Sequence, residues 1–163
     1  MLIRKAEIKD LEAITKIYNY AVLNLTATFD EEPKNLEERK KWFISHQDPR
    51  YPLIVAEDKG YILGWGSISP FRPRPAYRFS GETSIYIHQD AYGRGIGTLL
   101  LEELIRLAKE NDLHTLLALI VVDNQPSIKL HSKFGFQVAG HYKEIGFKFE
   151  KWLDIYIMQK MLT

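Results

Sequence analysis

Residues 82–101 read ETSIYIHQDAYGRGIGTLLL, an order that joins a β-rich segment to an apolar helical segment through a cluster of glycines. Gly93, Gly95 and Gly97 stand within five positions, where the missing side chains let the backbone bend tightly and approach a ligand. The unpaired N–H groups of the following helix face this loop with the positive end of the helix dipole, and Arg94 adds a formal charge. The segment therefore predicts a phosphate-binding loop, with a glycine-rich turn of no binding function as the alternative.

The spacing of the glycines separates three kinds of phosphate-binding loop. A Walker A loop ends in Gly-Lys-Ser/Thr, and no lysine stands between Gly97 and Thr98. A Rossmann loop counted from Gly93 would need a glycine where Thr98 stands, and it should follow the first strand rather than lie past mid-chain. The pyrophosphate loop of coenzyme A-dependent acyltransferases, Q/R-x-x-G-x-G/A, is matched at Gly95 and Gly97, although Tyr92 occupies the Q/R position.

Segments on both sides of this stretch predict an α/β fold. The run Leu116–Val122 is apolar and typical of a strand buried on both faces, and the turn at Lys59–Gly60 favours a hairpin. We predict strands near residues 2–5, 53–57, 61–69, 82–88, 116–122, 136–142 and 152–158, and helices after Asp10, near 36–46, near 96–110, and from Asn124 or Pro126 to Gly135. This mixed order predicts a mixed sheet rather than a regular doubly wound fold.

Length and composition limit the classes of protein. The chain has 163 residues, which suits one domain spanning residues 1–163. Lys and Arg number 22 against 21 Asp and Glu, so no net field points to nucleic acid or to an anionic membrane. Cysteine is absent and the histidines show no metal-ligand spacing, so we expect no bound metal. The start, MLIRKAEIKD, lacks the apolar region of a signal peptide, and we expect a cytoplasmic protein.

Motifs distributed over nearly the whole chain form an ordered set. They are Ile17-Tyr18-Asn19, Phe71-Arg72-Pro73, Ala76-Tyr77-Arg78, Glu82–Ile87, Asn124, Ser127, Leu130-His131, Gly135-Phe136, Gly146-Phe147-Lys148, Trp152-Leu153-Asp154 and Gln159. In this order they resemble the GNAT acyltransferase superfamily, and within it the phosphinothricin and methionine-sulfone N-acetyltransferases. The chain departs from the family at Tyr92 and at Glu150, where a glycine is common. The resemblance implies the GNAT fold, in which a mixed, mostly antiparallel central sheet is flanked by helices.

The resemblance implies acetyl-CoA as the co-substrate and assigns residues to it. Backbone groups of the strand before the glycines would pair with the pantetheine arm and orient the thioester carbonyl, acting as an oxyanion hole. The glycine loop would hold the pyrophosphate, and Asn124 would contact the coenzyme, cap its own helix, or do both. The residues so implied are Ile85, Tyr86, Ile87, Gly93, Arg94, Gly95, Ile96, Gly97, Thr98 and Asn124.

Two side chains are candidates for proton transfer. Glu82 begins the donor-binding strand, where its carboxylate would deprotonate the acceptor amine directly or through one water. His131 stands where many GNAT enzymes carry a tyrosine near the coenzyme sulfur, and it would donate a proton to the leaving thiolate. The structural alternatives are a solvated strand-end carboxylate and a histidine on a helix surface. Ser67 lacks the surroundings of a nucleophile elbow, so we expect direct transfer in a ternary complex.

The acceptor implied by the resemblance is a small amino acid or analogue, such as methionine sulfone, methionine sulfoximine or phosphinothricin. Arginines of the proline-rich loop, residues 71–79, would bind its α-carboxylate, or else they form a solvated basic patch. The expected acceptor-binding residues are Arg72, Arg74, Tyr77, Glu82 and Thr83. Two rival functions are acetylation of protein N-termini or lysines, which favours an open groove, and a non-catalytic acetyl-CoA-binding regulatory module.

The C-terminal segment KWLDIYIMQK, residues 151–160, bears on assembly. Large apolar side chains alternate onto both faces of the strand that it predicts. Such a strand is costly to leave at a solvent edge, and it must be covered within the monomer or by a second subunit. The family resemblance implies a homodimer.

Overall fold

Seven strands form one sheet in the computed structural model, which describes residues 1–163. The strands are Leu2–Lys5 (β1), Leu53–Asp58 (β2), Tyr61–Pro70 (β3), Ser80–Ile87 (β4), Thr115–Val121 (β5), Gln137–Lys148 (β6) and Lys151–Met161 (β7). They lie in the order β1-β2-β3-β4-β5-β7-β6. Every neighbouring pair is antiparallel except β4 and β5, which are parallel. The predicted mixed, mostly antiparallel sheet is confirmed.

Helices cover both faces of this sheet. They are Leu11–Asn24 (α1), Leu36–Ser45 (α2), Ile96–Glu110 (α3) and Gln125–Lys133 (α4). Leu100 and Leu104 of α3 pack in one core together with Ile54 of β2, whereas Ile14 of α1 packs in a second core with Val55. Because successive residues of a strand point to opposite faces, the two cores lie on opposite sides of the sheet. None of the helices has both the length and the apolar character needed to cross a membrane.

The C-terminal strand β7 lies inside the sheet, between β5 and β6, and so does not form the edge. Its side chains Leu153, Ile155 and Met158 are buried within the monomer. The edge is formed instead by β6, which runs to Lys148 and is longer than the predicted strand near 136–142. A second subunit is therefore not needed to cover β7, whereas β6 at the edge has exposed apolar side chains that a second subunit would cover.

A tight turn of two residues joins β6 to β7. Phe149 and Glu150 have left-handed φ values of +53° and +59°. A two-residue hairpin turn with both residues in this region matches the twist of the strands and favours glycine. The departure from the family pattern at Glu150 thus falls where the backbone itself favours glycine.

Candidate active site

Strands β4 and β5 diverge after three residue pairs. Their parallel pairing joins Ser80–Glu82 to Thr115–Leu117 only, whereas β4 stays paired with β3 as far as Ile87 and β5 with β7 as far as Val121. Beyond the three pairs the two strands face a gap, which we name the β4–β5 cleft. Backbone groups on its edges have no strand partner and are available to a ligand. The cleft is lined by residues 83–86 of β4, residues 118–121 of β5, Ala27, Asn124, Ser127 and His131.

The glycine loop follows β4 and leads into α3. Gly93 and Gly95 have left-handed φ values of +77° and +76°, and a Cβ on either would meet no atom within 4 Å. Gly95 is the N-cap of α3, and its carbonyl oxygen accepts the first hydrogen bond of the helix, from the N–H of Leu99. The N–H groups of residues 96–98 are therefore unpaired. Open space beside unpaired amides at a helix N-terminus is suited to a phosphate group.

Two other residues predicted to contact the coenzyme have partners within the protein. Arg94 Nη2 lies 3.2 Å from Asp58 Oδ2 at the end of β2, so its charge is partly compensated. Asn124 Oδ1 accepts a hydrogen bond from the N–H of Ser127 at 3.3 Å, as expected of a helix cap. Asn124 also lines the β4–β5 cleft, so capping leaves it in position to contact a ligand there.

His131 is buried where α4 meets the β4–β5 cleft, and it is not a surface histidine. Its Nδ1 lies 2.8 Å from the carbonyl oxygen of Ser127, and its ring packs edge-on against Phe136 with 5.0 Å between centroids. Burial lowers the pKa of His131, so the imidazole is neutral at pH 7. The carbonyl partner holds the proton on Nδ1, and Nε2 carries the lone pair.

A larger cavity of about 540 Å³ lies on the α1 and α2 side of the sheet, and we name it the α1–α2 cavity. It is lined by Tyr18, Asp30, Lys34, Glu38, Arg39, Trp42, Trp65, Ser67, Ser69, Ser84 and Tyr86. Its floor is a row of cross-strand pairs on one face of β3 and β4, Trp65 with Tyr86 and then Ser67 with Ser84. Because Ser84 and Tyr86 also line the β4–β5 cleft, the two spaces meet at these residues.

Glu82 continues this row and pairs with Ser69 across β3 and β4. It lies two residues before Ser84 and therefore on the same face of the sheet. The side chain is half-buried, and this burial raises the pKa of Glu82, while the positive charge of Arg72 opposes the shift. A carboxylate with a raised pKa beside a cavity is suited to accept a proton near neutral pH.

The structure corrects the expectation for Thr83, which does not lie with Glu82. Successive residues of a strand point to opposite faces, so the side chain of Thr83 lies on the α3 side of the sheet. Its Oγ1 donates to the carbonyl oxygen of Leu117 at 3.4 Å, and it lines the β4–β5 cleft rather than the α1–α2 cavity. Thr83 is therefore placed beside the cleft and away from the cavity.

The proline-rich loop brings only part of its predicted residues toward Glu82. The charge of Arg72 acts on the Glu82 carboxyl, and its guanidinium also stacks 4.3 Å from the centroid of Phe71. Tyr77 packs edge-on against the same ring, with 5.6 Å between centroids. Arg74 is exposed. Of the loop residues, Arg72 is thus the one that the structure couples to the carboxylate.

Arg39 is a residue of the cavity that the sequence analysis does not single out. It is only 6% exposed, and its guanidinium stacks 3.6 Å from the centroid of the Trp42 ring. Burial lowers the pKa of Arg39 to about 10, so the side chain keeps its charge at neutral pH. The signal available in the sequence is spacing, because Arg39 precedes Trp42 and Phe43 by three and four positions and shares their face of α2.

The segment between α1 and α2 is held against β6. Lys148 Nζ donates to the carbonyl oxygens of Leu25 and Thr28 at 2.7 and 2.8 Å. The ring of Phe29 packs on Gly146, where a Cβ would overlap it. These contacts fix the chain that supplies part of the wall of the α1–α2 cavity.

The chain is similar in sequence to known acetyltransferases. The family model described as "Acetyltransferase (GNAT) domain" matches residues 3–157. The chain is 40% identical over 158 residues to the L-methionine sulfoximine/L-methionine sulfone acetyltransferase of Pseudomonas paraeruginosa, an alignment that covers 96% of this chain and 92% of the relative.

Solved structures show the same fold. The phosphinothricin acetyltransferase of Sinorhizobium meliloti, solved in complex with AcCoA, has 39% identity and a TM-score of 0.95, covering 98% of this chain and 87% of that one. The ribosomal-protein-alanine N-acetyltransferase of Brucella melitensis has 43% identity and a TM-score of 0.96, covering 99% of both chains. By sequence and by fold, this chain is an enzyme that belongs to the GNAT family of acetyltransferases.

Proposed function

We propose that the chain, acting as one domain over residues 1–163 in the cytoplasm, transfers an acetyl group from acetyl-CoA to the α-amino group of a small amino acid or analogue. Methionine sulfone, methionine sulfoximine and phosphinothricin define the acceptor class, and the transfer is direct, in a ternary complex. One observation carries the proposal: the β4–β5 cleft and the α1–α2 cavity meet at Ser84 and Tyr86, with Glu82 beside them. A donor in the cleft and an acceptor in the cavity would therefore touch.

The residues at the cleft fit acetyl-CoA. Unpaired amides of residues 96–98 and the open space at Gly93 and Gly95 suit its pyrophosphate. The free edge of β4 at residues 85–87 offers backbone groups to the pantetheine arm and the thioester oxygen. Acetyl-CoA would supply an activated acetyl group: the acceptor nitrogen would bond to the carbonyl carbon as the C–S bond breaks, and coenzyme A would leave as its thiol.

Glu82 is the proposed base. The α-ammonium group of an amino acid has a pKa of about 8, so removing its proton near neutral pH costs little and a modest base is sufficient. The raised pKa of Glu82 increases its affinity for that proton. In the same proposal His131 donates a proton to the departing thiolate through Nε2. Because burial lowers the pKa of His131, few molecules carry that proton at pH 7, and its contribution grows as the pH falls.

Acetylation of a protein or peptide is the second candidate function, since the similar structure from Brucella melitensis, at 43% identity, is that of a ribosomal-protein-alanine N-acetyltransferase. The proline-rich loop follows β3, whose Ser69 lines the cavity, and as a cover over the acceptor it would favour a small molecule over a peptide. A turnover screen separates the two candidates. We expect thiol release from acetyl-CoA with methionine sulfone, methionine sulfoximine or phosphinothricin at rates at least about tenfold above those with Ala- or Ser-initiated peptides, a difference of about 1.4 kcal/mol in the barrier. Faster turnover of peptides would transfer the assignment to protein acetylation, and absence of any turnover would favour the regulatory module.

Glu82→Gln tests the proposed base. General-base catalysis typically contributes about 10²- to 10⁴-fold, so we expect kcat to fall by that range with little change in the KM for acetyl-CoA. The raised pKa of Glu82 also predicts that wild-type activity falls with decreasing pH at values above the usual range of a glutamate, because the protonated carboxyl cannot accept the amine proton. The variant should lose this acidic limb. A loss of less than about threefold would leave Glu82 without a chemical role.

Gly95→Asp tests the coenzyme loop, with Gly95→Asn as the matched control. Both side chains tolerate the left-handed backbone at this position better than other residues, and they are similar in size. The carboxylate repels the pyrophosphate, so we expect affinity for acetyl-CoA, measured by calorimetry, to fall at least about tenfold more for Asp than for Asn. Equal affinities in two folded variants would contradict phosphate binding at this loop.

We also propose that the chain forms a homodimer through the edge strand β6. The side chains of Val138, Tyr142 and Phe147 are about half exposed there, and the ring of Trp152 of β7, which is 64% exposed, packs at a tilt against that of Phe147. Apolar patches on an edge strand are suited to a two-fold contact with a second copy.

Light scattering tests the dimer. We expect a mass of about 38 kDa, twice the 19.0 kDa of the chain. Phe147→Lys should shift the population toward the monomer, whereas Tyr61→Lys, which changes an aromatic residue that is 73% exposed at the β2–β3 hairpin, should not. A wild-type monomer with full activity at micromolar concentration would refute the proposal.

A further inference from the structure

The α1–α2 cavity contains a buried cation without an anionic partner. Arg39 makes no ion pair, and its Nε and Nη2 atoms are enclosed without a hydrogen-bond acceptor. Two acidic residues line the same cavity, and neither forms an ion pair with Arg39, although the negative charge of Asp30 favours the charged guanidinium. The Asp30 carboxylate accepts a hydrogen bond from the Tyr18 hydroxyl, and Glu38 is exposed near the start of α2, where its N–H donates to Asn35 Oδ1.

Three aromatic rings lie around the guanidinium of Arg39. The ring centroids of Trp42, Tyr18 and Trp65 lie 3.6, 4.6 and 5.7 Å from the Arg39 Cζ atom. Such stacking favours the cation, yet it supplies no acceptor for the N–H bonds, which point in the plane of the group. The indole N–H of Trp65 is a further buried donor without a partner. The fully enclosed polar atoms of this wall that lack a partner are thus all donors.

The floor of the cavity extends this set of donors toward the reaction centre. Ser67 and Ser84 pair across β3 and β4 on the same face, and each hydroxyl can donate to a ligand. Ser84 also borders the β4–β5 cleft, and Glu82 lies two residues before it. A molecule whose oxygens meet Arg39 can therefore extend along Ser84 and bring its amine toward Glu82.

We propose that Arg39 determines acceptor specificity by binding an oxygen-bearing polar group of the acceptor inside the α1–α2 cavity. The group is either the α-carboxylate or the sulfone, sulfoximine or phosphinate oxygens of the side chain, since both accept hydrogen bonds from a planar guanidinium. The inference rests on the proposed function and deepens it, because it assigns the selection of the substrate class to a residue of α2 rather than to the proline-rich loop.

Tryptophan fluorescence provides a binding assay that does not depend on turnover. Trp42 and Trp65 line the cavity, and Trp152→Phe removes the only other tryptophan of the chain. In this background we compare Arg39→Met, Arg39→Lys and the control Lys40→Met, which makes the same change from cation to thioether at an exposed neighbouring position. Circular dichroism melts establish that each variant is folded.

We expect Arg39→Met to weaken binding of methionine sulfone at least about tenfold, as loss of charge-assisted hydrogen bonds predicts. Arg39→Lys should fall between the wild type and Arg39→Met, because an ammonium group cannot donate in a planar, bidentate manner. Lys40→Met should bind within about twofold of the wild type, a difference below 0.5 kcal/mol. Affinity unchanged in a folded Arg39→Met would overturn the inference.

The choice of ligand identifies the bound group. If Arg39 binds the α-carboxylate, the effect of Arg39→Met disappears with methionine sulfone amide and persists with methionine. If it binds the side-chain oxygens, the effect disappears with methionine and persists with the amide. Should the Arg39 variants fail to fold, the wild type decides, because methioninamide lacks both groups and must bind at least about tenfold more weakly than methionine sulfone. Equal affinity of these two ligands would overturn the inference.

The two proposals fail in different ways. Acetylation of methionine sulfone by the wild type, combined with an affinity that does not depend on Arg39, removes the inference and leaves the proposed function. Arg39-dependent binding without acetylation removes the proposed function and leaves the binding site.

Discussion

Parallel pairing of β4 with β5 over only three residue pairs, Ser80–Glu82 with Thr115–Leu117, is the constraint on which the site depends. Each strand remains bonded to its outer neighbour beyond that point, so the two halves of the sheet diverge without losing their own ladders. In a continuously paired sheet, interior strands have no free backbone groups. Divergence frees such groups in the middle of the molecule, between two cores that hold both halves in place. The helix N-terminus of α3 then lies where the free strand edge ends.

The α1–α2 cavity lowers the stability of the ligand-free protein, because it contains buried donors without partners. Cation–π contacts of a desolvated arginine contribute about 2 kcal/mol, whereas each buried donor without a partner costs about 1–3 kcal/mol. Arg39 and Trp65 together present three such donors. Two of these donors belong to Arg39, and their cost of about 2–6 kcal/mol is at least as large as the gain from its cation–π contacts. A ligand oxygen that reached these enclosed donors would recover part of this cost, so the proposed site would favour polar, oxygen-rich molecules over apolar ones of the same shape.

Local features of the sequence were sufficient to predict the glycine loop, helix α3 and the mixed sheet, because each depends on neighbouring residues or on simple periodicity. The divergence of β4 and β5 could not be predicted, since it depends on which strands pair at long range. For the same reason the sequence left open whether β7 is covered within the monomer or by a second subunit. The length of β6 was missed because its turn, at Phe149 and Glu150, contains no glycine to mark it. Arg39 was missed because a charged residue on a charged helix is usually solvated.

The contact between Phe29 and Gly146 links two parts of the chain that are distant in sequence. The ring occupies the space that a side chain at position 146 would need, and Lys148 fastens the same segment two residues later. The effects of substitutions at positions 29 and 146 are therefore not independent. During divergence of the family, a larger residue at 146 is compatible with this packing only together with a smaller one at 29, so the two positions are expected to covary. Since position 146 lies on the buried face of the edge strand and position 29 on the segment bordering the cavity, a change on that face of the strand would alter the wall of the cavity as well.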